Sequence, residues 1–353
     1  VENLLGSVGE GGHIALNCLY AGRWKLGFSS SAGSMSSING SYDFAKDRKQ
    51  FSRSILKFDM IKNKFANMIA RTWESDTINY ATTGSIDDSI KKLNVDDDDY
   101  YVKVQKITED HAIEASICKI VGSEALAYCA DEGVQIFGGS GFCEEYPAAG
   151  VYRDERINRI FEGTNEINRL IISGTVLKKA ILEELPIRDV LITRKEKMWT
   201  NNEFDDNISK EADVIEYCKS LGLVVLDDII NIYGQDFKNK QWLIEPFADI
   251  ICSISIMHNC FLRYNQLESG NHKDNTLSVF KLTVSHHFNK VLSRVKTINS
   301  HICEFMSFKD DNEKYDFCNI TSSQKLNYFP DEICLKKNIV NEFYKQEKYY
   351  LNT

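Results

Sequence analysis

Apolar residues recur every three and four positions along most of this chain, and few breakers interrupt them. Phe51, Ile55, Phe58, Ile61, Phe65, Met68 and Ile69 step along one face of a helix. A second run covers 112–134, where Ala115, Ile120, Ala125, Leu126 and Cys129 allow close packing. Further runs cover 214–233, 242–262 and 277–305, and a short piece covers 339–350. The only four prolines, at 147, 186, 246 and 330, leave long uninterrupted stretches. The pattern predicts an all-α chain: an antiparallel helical bundle followed by a second, smaller helical domain.

The same pattern places boundaries. Residues 1–182 form the bundle, 183–210 a linker broken by Pro186, and 211–353 the additional helical domain. Beyond about 308 the tail is rich in Asn, Lys, Asp and Tyr and gives little ground for order, except that 339–350 can dock as a helix. The polar segment 84–110 holds Asp96-Asp97-Asp98-Asp99, four like charges that repel and stay hydrated, so a solvated loop is expected there. The most apolar stretch, 243–262, contains Glu245, Pro246, Asp249 and His258, which makes it a buried helix rather than a membrane span.

Charge and composition narrow the function. The 353 residues are 43% hydrophobic and carry a net charge of −9, against a nucleic-acid partner, which needs clustered Lys and Arg. The ten cysteines show no C-x-x-C spacing and read as reduced thiols, several of them buried. The seven histidines lack ligand spacing, and adjacent His286 and His287 point to different helix faces, so no metal site is expected. The opening Val1-Glu2-Asn3-Leu4-Leu5-Gly6 carries no basic segment followed by an apolar run; it reads as the interior of a longer sequence.

The chemistry concentrates in Arg159-Ile160-Phe161-Glu162-Gly163-Thr164-Asn165-Glu166. Glu162 stands between an apolar pair and a Gly-Thr-Asn turn, with a helix starting just after it. A carboxylate desolvated by Ile160 and Phe161 has its pKa raised towards that of a general base. Read without context, Glu162 fits a solvated or helix-capping acid better than a base, Thr164 or Asn165 a cap, and Glu166 a charge favouring the helix start. Free N–H groups at that start also suit a polar cofactor group. Two glycines, Gly138 and Gly139, follow Gln135 at the end of the 112–134 helix and let a backbone approach a ligand closely. They equally form a C-cap turn. Arg48 and Gln50, in Asp47-Arg48-Lys49-Gln50-Phe51, open what reads as the amphipathic helix, where a guanidinium suits a diphosphate. Phe137, Phe142 and Tyr146 are expected in the core.

These three motifs, in this order and at these intervals, resemble the C-terminal helical domain of acyl-CoA dehydrogenases over roughly residues 1–180. The later Lys240-Gln241-Trp242-Leu243 and Ala248-Asp249 more loosely resemble the extra helical domain of the very-long-chain branch, which includes a relative that assists respiratory complex I assembly. The resemblance implies FAD-dependent oxidation of a long-chain acyl-CoA to the trans-2-enoyl-CoA, with Glu162 taking the α-proton. It implies cofactor contacts at Arg48, Gln50, Gln135, Gly138, Gly139, Thr164, Asn165 and Glu166. It places substrate contacts at Tyr20, Arg23 and Gly163. It also implies a homodimer, an electron-transfer flavoprotein as acceptor, and a mitochondrial setting at the matrix or inner-membrane surface. The 183–210 segment, with Ile187, Leu191 and Trp199 beside Arg188, Arg194 and Lys195, is a candidate for peripheral membrane contact. The family's earlier domains, which hold the flavin ring, have no counterpart here, so the chain alone is expected to hold FAD weakly. The alternatives left open are a non-catalytic assembly protein with the same fold and an acyl-CoA oxidase.

Overall fold

A computed structural model describes residues 4–184, 190, 208–304 and 328–351. Among them the chain is helical apart from one two-stranded hairpin, as the periodicity predicts. Packing divides it into two units, 1–168 with 339–353, and 169–338. This division differs from the boundary read at 182. It falls inside a helix, because the last helix of the bundle has its first turn in one unit and the rest in the other.

In the first unit, α1 (Gly11–Asp47), α2 (Asp59–Ile90) and α4 (Ala112–Phe137) form the core. Glycine sets the spacing of α1 and α4. A Cβ on Gly122 would lie 2.9 Å from the Cα of Gly27, so the two backbones touch. Further along, Gly33 meets Leu126, and the Ser37 hydroxyl donates to the Cys129 carbonyl at 2.9 Å. These matches rise together in sequence, so α1 and α4 run parallel. Helix α2 runs antiparallel to both: Phe65 lies beside Tyr42, Ser75 beside Ser31, and Thr72 beside Cys129. Trp73, Phe65, Met68, Ile69, Ile117 and Ile120 fill the apolar part of this core. Its centre is polar: Ser31 and Ser75 share a 2.6 Å hydrogen bond, and the Asn79 amide donates to Ser31 at 3.0 Å.

Two sequence expectations change here. The amphipathic run from Phe51 is not one helix. Residues Lys49–Gln50 (β1) and Arg53–Ser54 (β2) pair antiparallel, and Ile55–Lys57 form a 3-10 turn before α2. Phe51 and Ser52 have φ of 52° and 64°, left-handed values that make a two-residue hairpin turn and cannot continue a helix. Phe51 is accordingly 87% exposed at the tip. The solvated loop is also shorter than 84–110. Helix α2 continues to Ile90 and α3 spans Tyr100–Asp110, with Asp97 and Asp99 both paired to Lys103. Local ion pairing and helix continuation leave only 91–99 outside helices.

Short helices α5 (Gly139–Phe142) and α6 (Pro147–Glu155) lead to α7 (Asn165–Ile181). Phe137 stacks on Phe44 with ring centroids 4.1 Å apart, and Tyr146 packs edge-on to both. Phe142 departs from the expected core position and is exposed, because α5 turns it outward past Gly141, which packs on Val134 and Phe137.

The second unit holds most of α7 with α8 (Ser209–Tyr233), α9 (Gln241–Gln266) and α10 (Asn271–Ile302). Leu221, Leu226, Phe247, Ile250, Val284 and Val291 are among its buried residues. One buried carboxylate ties three helices together. Asp249 of α9, 2% exposed, accepts from Arg169 of α7 at 3.1 Å and from Arg294 of α10 at 2.8 and 3.0 Å, with Lys290 at 3.5 Å. Burial works to raise the Asp249 pKa, but Lys290, Arg169 and Arg294 outweigh it and hold the group below the ordinary carboxylate value. No helix among the described residues is long and apolar enough to cross a membrane.

The final helix, α11, spans Glu332–Gln346, and Ile339, Val340 and Phe343 on it are buried. It begins earlier than the 339–350 piece read from the pattern, and it gives order to part of the tail for which little was expected. The linker core, 185–189 and 191–207, and the tail segment 305–327 lie outside the described residues. Among the described residues eight cysteines are free thiols, five of them buried. Cys303 is disulfide-bonded, a departure from the expectation of reduced thiols throughout.

Replacing Asp249 with Asn leaves three buried or half-buried cations facing a neutral group and should cost about 3–5 kcal/mol of stability, read as a lower urea midpoint. The sign with pH follows from the depressed pKa. The ionised carboxylate's contribution is complete above the unfolded value of about 3.9 and is lost as pH falls through the lower folded value. The variant should therefore lack that part of the acid denaturation limb, and an unchanged limb would exclude Asp249 as its source.

Candidate functional site

Glu162 sits in a turn whose backbone is left-handed at two successive residues, Glu162 at φ 58° and Gly163 at 78°. Glycine adopts this region freely, whereas a glutamate there costs on the order of 1 kcal/mol or more, which the surroundings must offset. Two side chains do so. The Arg23 Nε of α1 donates to the Glu162 carbonyl at 3.1 Å. The Asn168 amide of α7 donates to the carbonyls of Gly163 at 2.7 Å and Thr164 at 3.0 Å, and reaches that of Glu162 at 3.5 Å. Thr164 then caps α7, its hydroxyl accepting from the Ile167 N–H at 3.3 Å.

The Glu162 carboxylate lies against α1 at Gly22. A Cβ at position 22 would fall 2.6 Å from the Glu162 Cδ, so with the carboxylate in this place the position takes glycine. Its Oε2 is buried and makes no hydrogen bond among the described residues. Beside it, Arg23 is 1% exposed, its guanidinium 5.0 Å from the Tyr20 ring centre, and its Nη1 is also buried without a partner. Burial lowers the Arg23 pKa, and Tyr20 and Glu162 oppose that loss of charge. Glu162, Gly163, Tyr20 and Arg23 are thus brought together, with Thr164 at the helix start and Glu166 exposed in its first turn.

Asn165 is turned the other way. Its Oδ1 accepts from the fully buried Lys119 at 2.6 Å and from Ser123 at 3.3 Å, and its Nδ2 donates to Ser123 and Glu124, each at 3.2 Å. The side chain pins α7 to α4. Lys119, Asn168 and Gly22 escape a reading of periodicity, since a buried lysine, a helix asparagine and one glycine carry no pattern until their neighbours are known.

The other expected residues gather at the far end of α1 and α4. Arg48 and Gln50 are exposed on the hairpin, and Gln135, Gly138 and Gly139 are exposed at the end of α4. Gly138 has φ 62°, and space at its Cα and at Gly139 is open. The Phe44–Phe137 stack joins these two helix ends. Arg23 and Arg48 are 25 residues apart on α1 or at its end, roughly 37 Å at 1.5 Å per residue, so the two groups are distinct places on one chain. A cavity of about 300 Å³ between α2, α4 and α6, lined by Arg71, Tyr128, Tyr152 and Arg159 among others, includes none of the expected residues.

Residues 9–177 match the family described as acyl-CoA dehydrogenase, C-terminal domain. This portion of the chain belongs to the acyl-CoA dehydrogenase C-terminal domain family. A probable acyl-CoA dehydrogenase of Bacillus subtilis is 36% identical over 74% of this chain and 45% of its own length. The rat mitochondrial very long-chain specific acyl-CoA dehydrogenase is 38% identical over 49% of this chain and 24% of its own. Among solved structures, an acyl-CoA dehydrogenase from Bacillus anthracis complexed with FAD aligns over 99% of this chain and 59% of its own, with TM-score 0.91 and 32% identity. The chain spans less than half the length of the curated relatives just named. Acyl-CoA oxidase 1 of Arabidopsis thaliana aligns with TM-score 0.62 at 13% identity over 95% of this chain and 52% of its own, which shows a shared fold.

For this acyl-CoA dehydrogenase domain, Gly22→Ala should displace the Glu162 carboxylate, the end of a flexible side chain, while alanine gains up to about 1 kcal/mol of helix propensity over glycine, so the thermal midpoint should hold or rise. A midpoint lowered by several degrees would mean that the carboxylate cannot yield there.

Proposed function

We propose that this chain acts within an FAD-dependent acyl-CoA dehydrogenase that oxidises long-chain acyl-CoA to trans-2-enoyl-CoA, with Glu162 as the base. The observation that carries this is the Glu162 Oε2: buried, without a hydrogen-bond partner among the described residues, and aimed by a left-handed turn clamped from two sides. A base for the weakly acidic α-proton of a thioester has to be held in place before the substrate arrives. Arg23 and Asn168 do this through the backbone and leave the carboxylate oxygen without a hydrogen bond that would compete for the proton. We assign the Gly163 N–H to the thioester oxygen, where charge develops as the proton leaves. Tyr20 and Arg23 border the same place.

The exposed ends of α1 and α4 fit a dinucleotide. Arg48 offers a bidentate donor for a diphosphate, Gln50 and Gln135 offer amides, and Gly138 and Gly139 leave the backbone open to close approach. Thr164 and Glu166, with the backbone of Asn165, would meet it at the other group. FAD, when bound, supplies a hydride acceptor for the β-hydrogen. The roughly 37 Å along α1 between the groups exceeds an extended dinucleotide, so one cofactor touching both uses two copies of the chain, and a homodimer is part of the proposal. The FAD-bound Bacillus anthracis relative supports the cofactor, and the very long-chain relatives support the acyl-chain class. An electron-transfer flavoprotein as acceptor and a mitochondrial setting, with peripheral inner-membrane contact through 183–210, complete the reading; they rest on the family resemblance and on the mammalian relatives, which are mitochondrial very long-chain specific acyl-CoA dehydrogenases.

In protein expressed from the complete reading frame, palmitoyl-CoA with an electron acceptor should give turnover, and Glu162→Gln should reduce it by about 10²–10⁴-fold. Equal turnover in the variant would end the base assignment. Wild-type protein that binds FAD without turnover would favour the assembly role, and reduction of oxygen in place of the acceptor would favour an oxidase.

A further inference from the structure

The segment after Asn338 belongs to the first unit although it is last in sequence. Ile339, Val340 and Phe343 of α11 are buried, as are Tyr349 and Leu351 beyond it. Phe343 packs between Tyr42 and Phe65 at centroid distances of 5.1 and 5.3 Å. Glu347, at φ 55°, breaks the helix and redirects the chain. The Tyr349 N–H then donates to the Asn39 Oδ1 at 2.8 Å, and Lys46 pairs with Glu347. So the segment is held at the carboxyl end of α1 by burial and by directed hydrogen bonds.

That end carries the hairpin of Arg48 and Gln50, which is exposed and depends on its base for position. Several hydrogen bonds hold the base, among them the Arg48 N–H to the Phe44 carbonyl at 2.9 Å, and three concern the second strand and the turn after it. The Ser54 hydroxyl donates to the Ala45 carbonyl at 2.9 Å, the Ile55 N–H donates to the Arg48 carbonyl at 2.9 Å, and the Tyr344 hydroxyl donates to the Leu56 carbonyl at 3.0 Å. The third comes from the carboxy-terminal segment. The turn itself is left-handed at Phe51 and Ser52 with no glycine to relax it, so it needs outside support.

We propose that 339–351 is a strap that positions the Arg48–Gln50 hairpin, with Tyr344 as the positioning residue. The consequence for the cofactor rests on the function proposed above; the consequence for the hairpin does not. The strap couples the last residues of the chain to the presentation of two cofactor-facing side chains about 290 positions earlier, the Tyr344–Leu56 separation being 288.

The test is hydrogen exchange of the full chain, followed by segment. Tyr344→Phe keeps the ring in its aromatic cluster and removes one hydrogen bond, so exchange of 48–58 should rise by about threefold to tenfold, the worth of one such bond, while 115–130 of α4 stays unchanged. Phe343→Ala should accelerate the same segment further. No acceleration in 48–58, or equal acceleration in α4, would overturn the strap as a positioning device and leave it a general stabiliser. In protein from the complete reading frame, Tyr344→Phe should weaken FAD binding, measured by flavin fluorescence, by a similar factor. A loosened hairpin with unchanged FAD affinity would overturn the link to the cofactor. Wild-type protein that takes up no FAD would sink the proposed function, and the exchange result would still decide the strap.

Discussion

The glycine contact between α1 and α4 is the constraint on which the first unit depends. With Gly27 and Gly122 in backbone contact, the two helices lie closer than side chains ordinarily allow. That spacing fixes what happens a turn or so away. Gly22, five residues before Gly27, meets the Glu162 carboxylate, and Lys119, three residues before Gly122, reaches Asn165 at the start of α7. Serines and Asn79 lie beside that contact: Ser31 bonds both Ser75 and the Asn79 amide, while the buried Asn79 Oδ1 and Ser30 Oγ have no hydrogen-bond partner among the described residues.

The same logic explains why a glutamate tolerates a left-handed backbone. The turn from Glu162 to Thr164 has its carbonyls held by Arg23 and Asn168, one on each flanking helix. The strain is local, and the restraint comes from elements already fixed by packing. A side chain on such a turn keeps its position without hydrogen bonds of its own, which is why the Glu162 Oε2 can remain unpartnered while buried. The hairpin at the other end of α1 follows a parallel plan. Its turn is left-handed without glycine, and its base is held by Ser54, by Arg48 with Ile55, and by Tyr344 from far along the chain.

In the second unit the organising contact is ionic. One buried aspartate draws Arg169, Lys290 and Arg294 to itself, so α7, α9 and α10 meet at a point that apolar packing alone would not specify. Buried ionic contacts of this kind add specificity more reliably than stability, since the desolvation cost offsets much of the attraction.

The sequence by itself determined that the chain is helical, because three- and four-residue apolar spacing with four prolines admits little else. It also located α4, α8, α9 and α10 to within six residues at either end, and it singled out Glu162 and Gly138 through local residue chemistry and Arg23 through the family resemblance. It did not announce α1, whose serines and glycines give no apolar stripe because that helix is packed on more than one side. It ran a helix through Phe51, since Ile55 and Phe58 keep the helical interval across a turn that only backbone angles reveal. It placed Asn165 among cofactor contacts, and the tertiary structure turned that side chain onto Lys119 instead. The seat at Gly22, the clamp at Asn168 and the return of 339–351 to α1 all depend on residues far apart in sequence. No local pattern encodes them; they follow from which helices pack together and how closely.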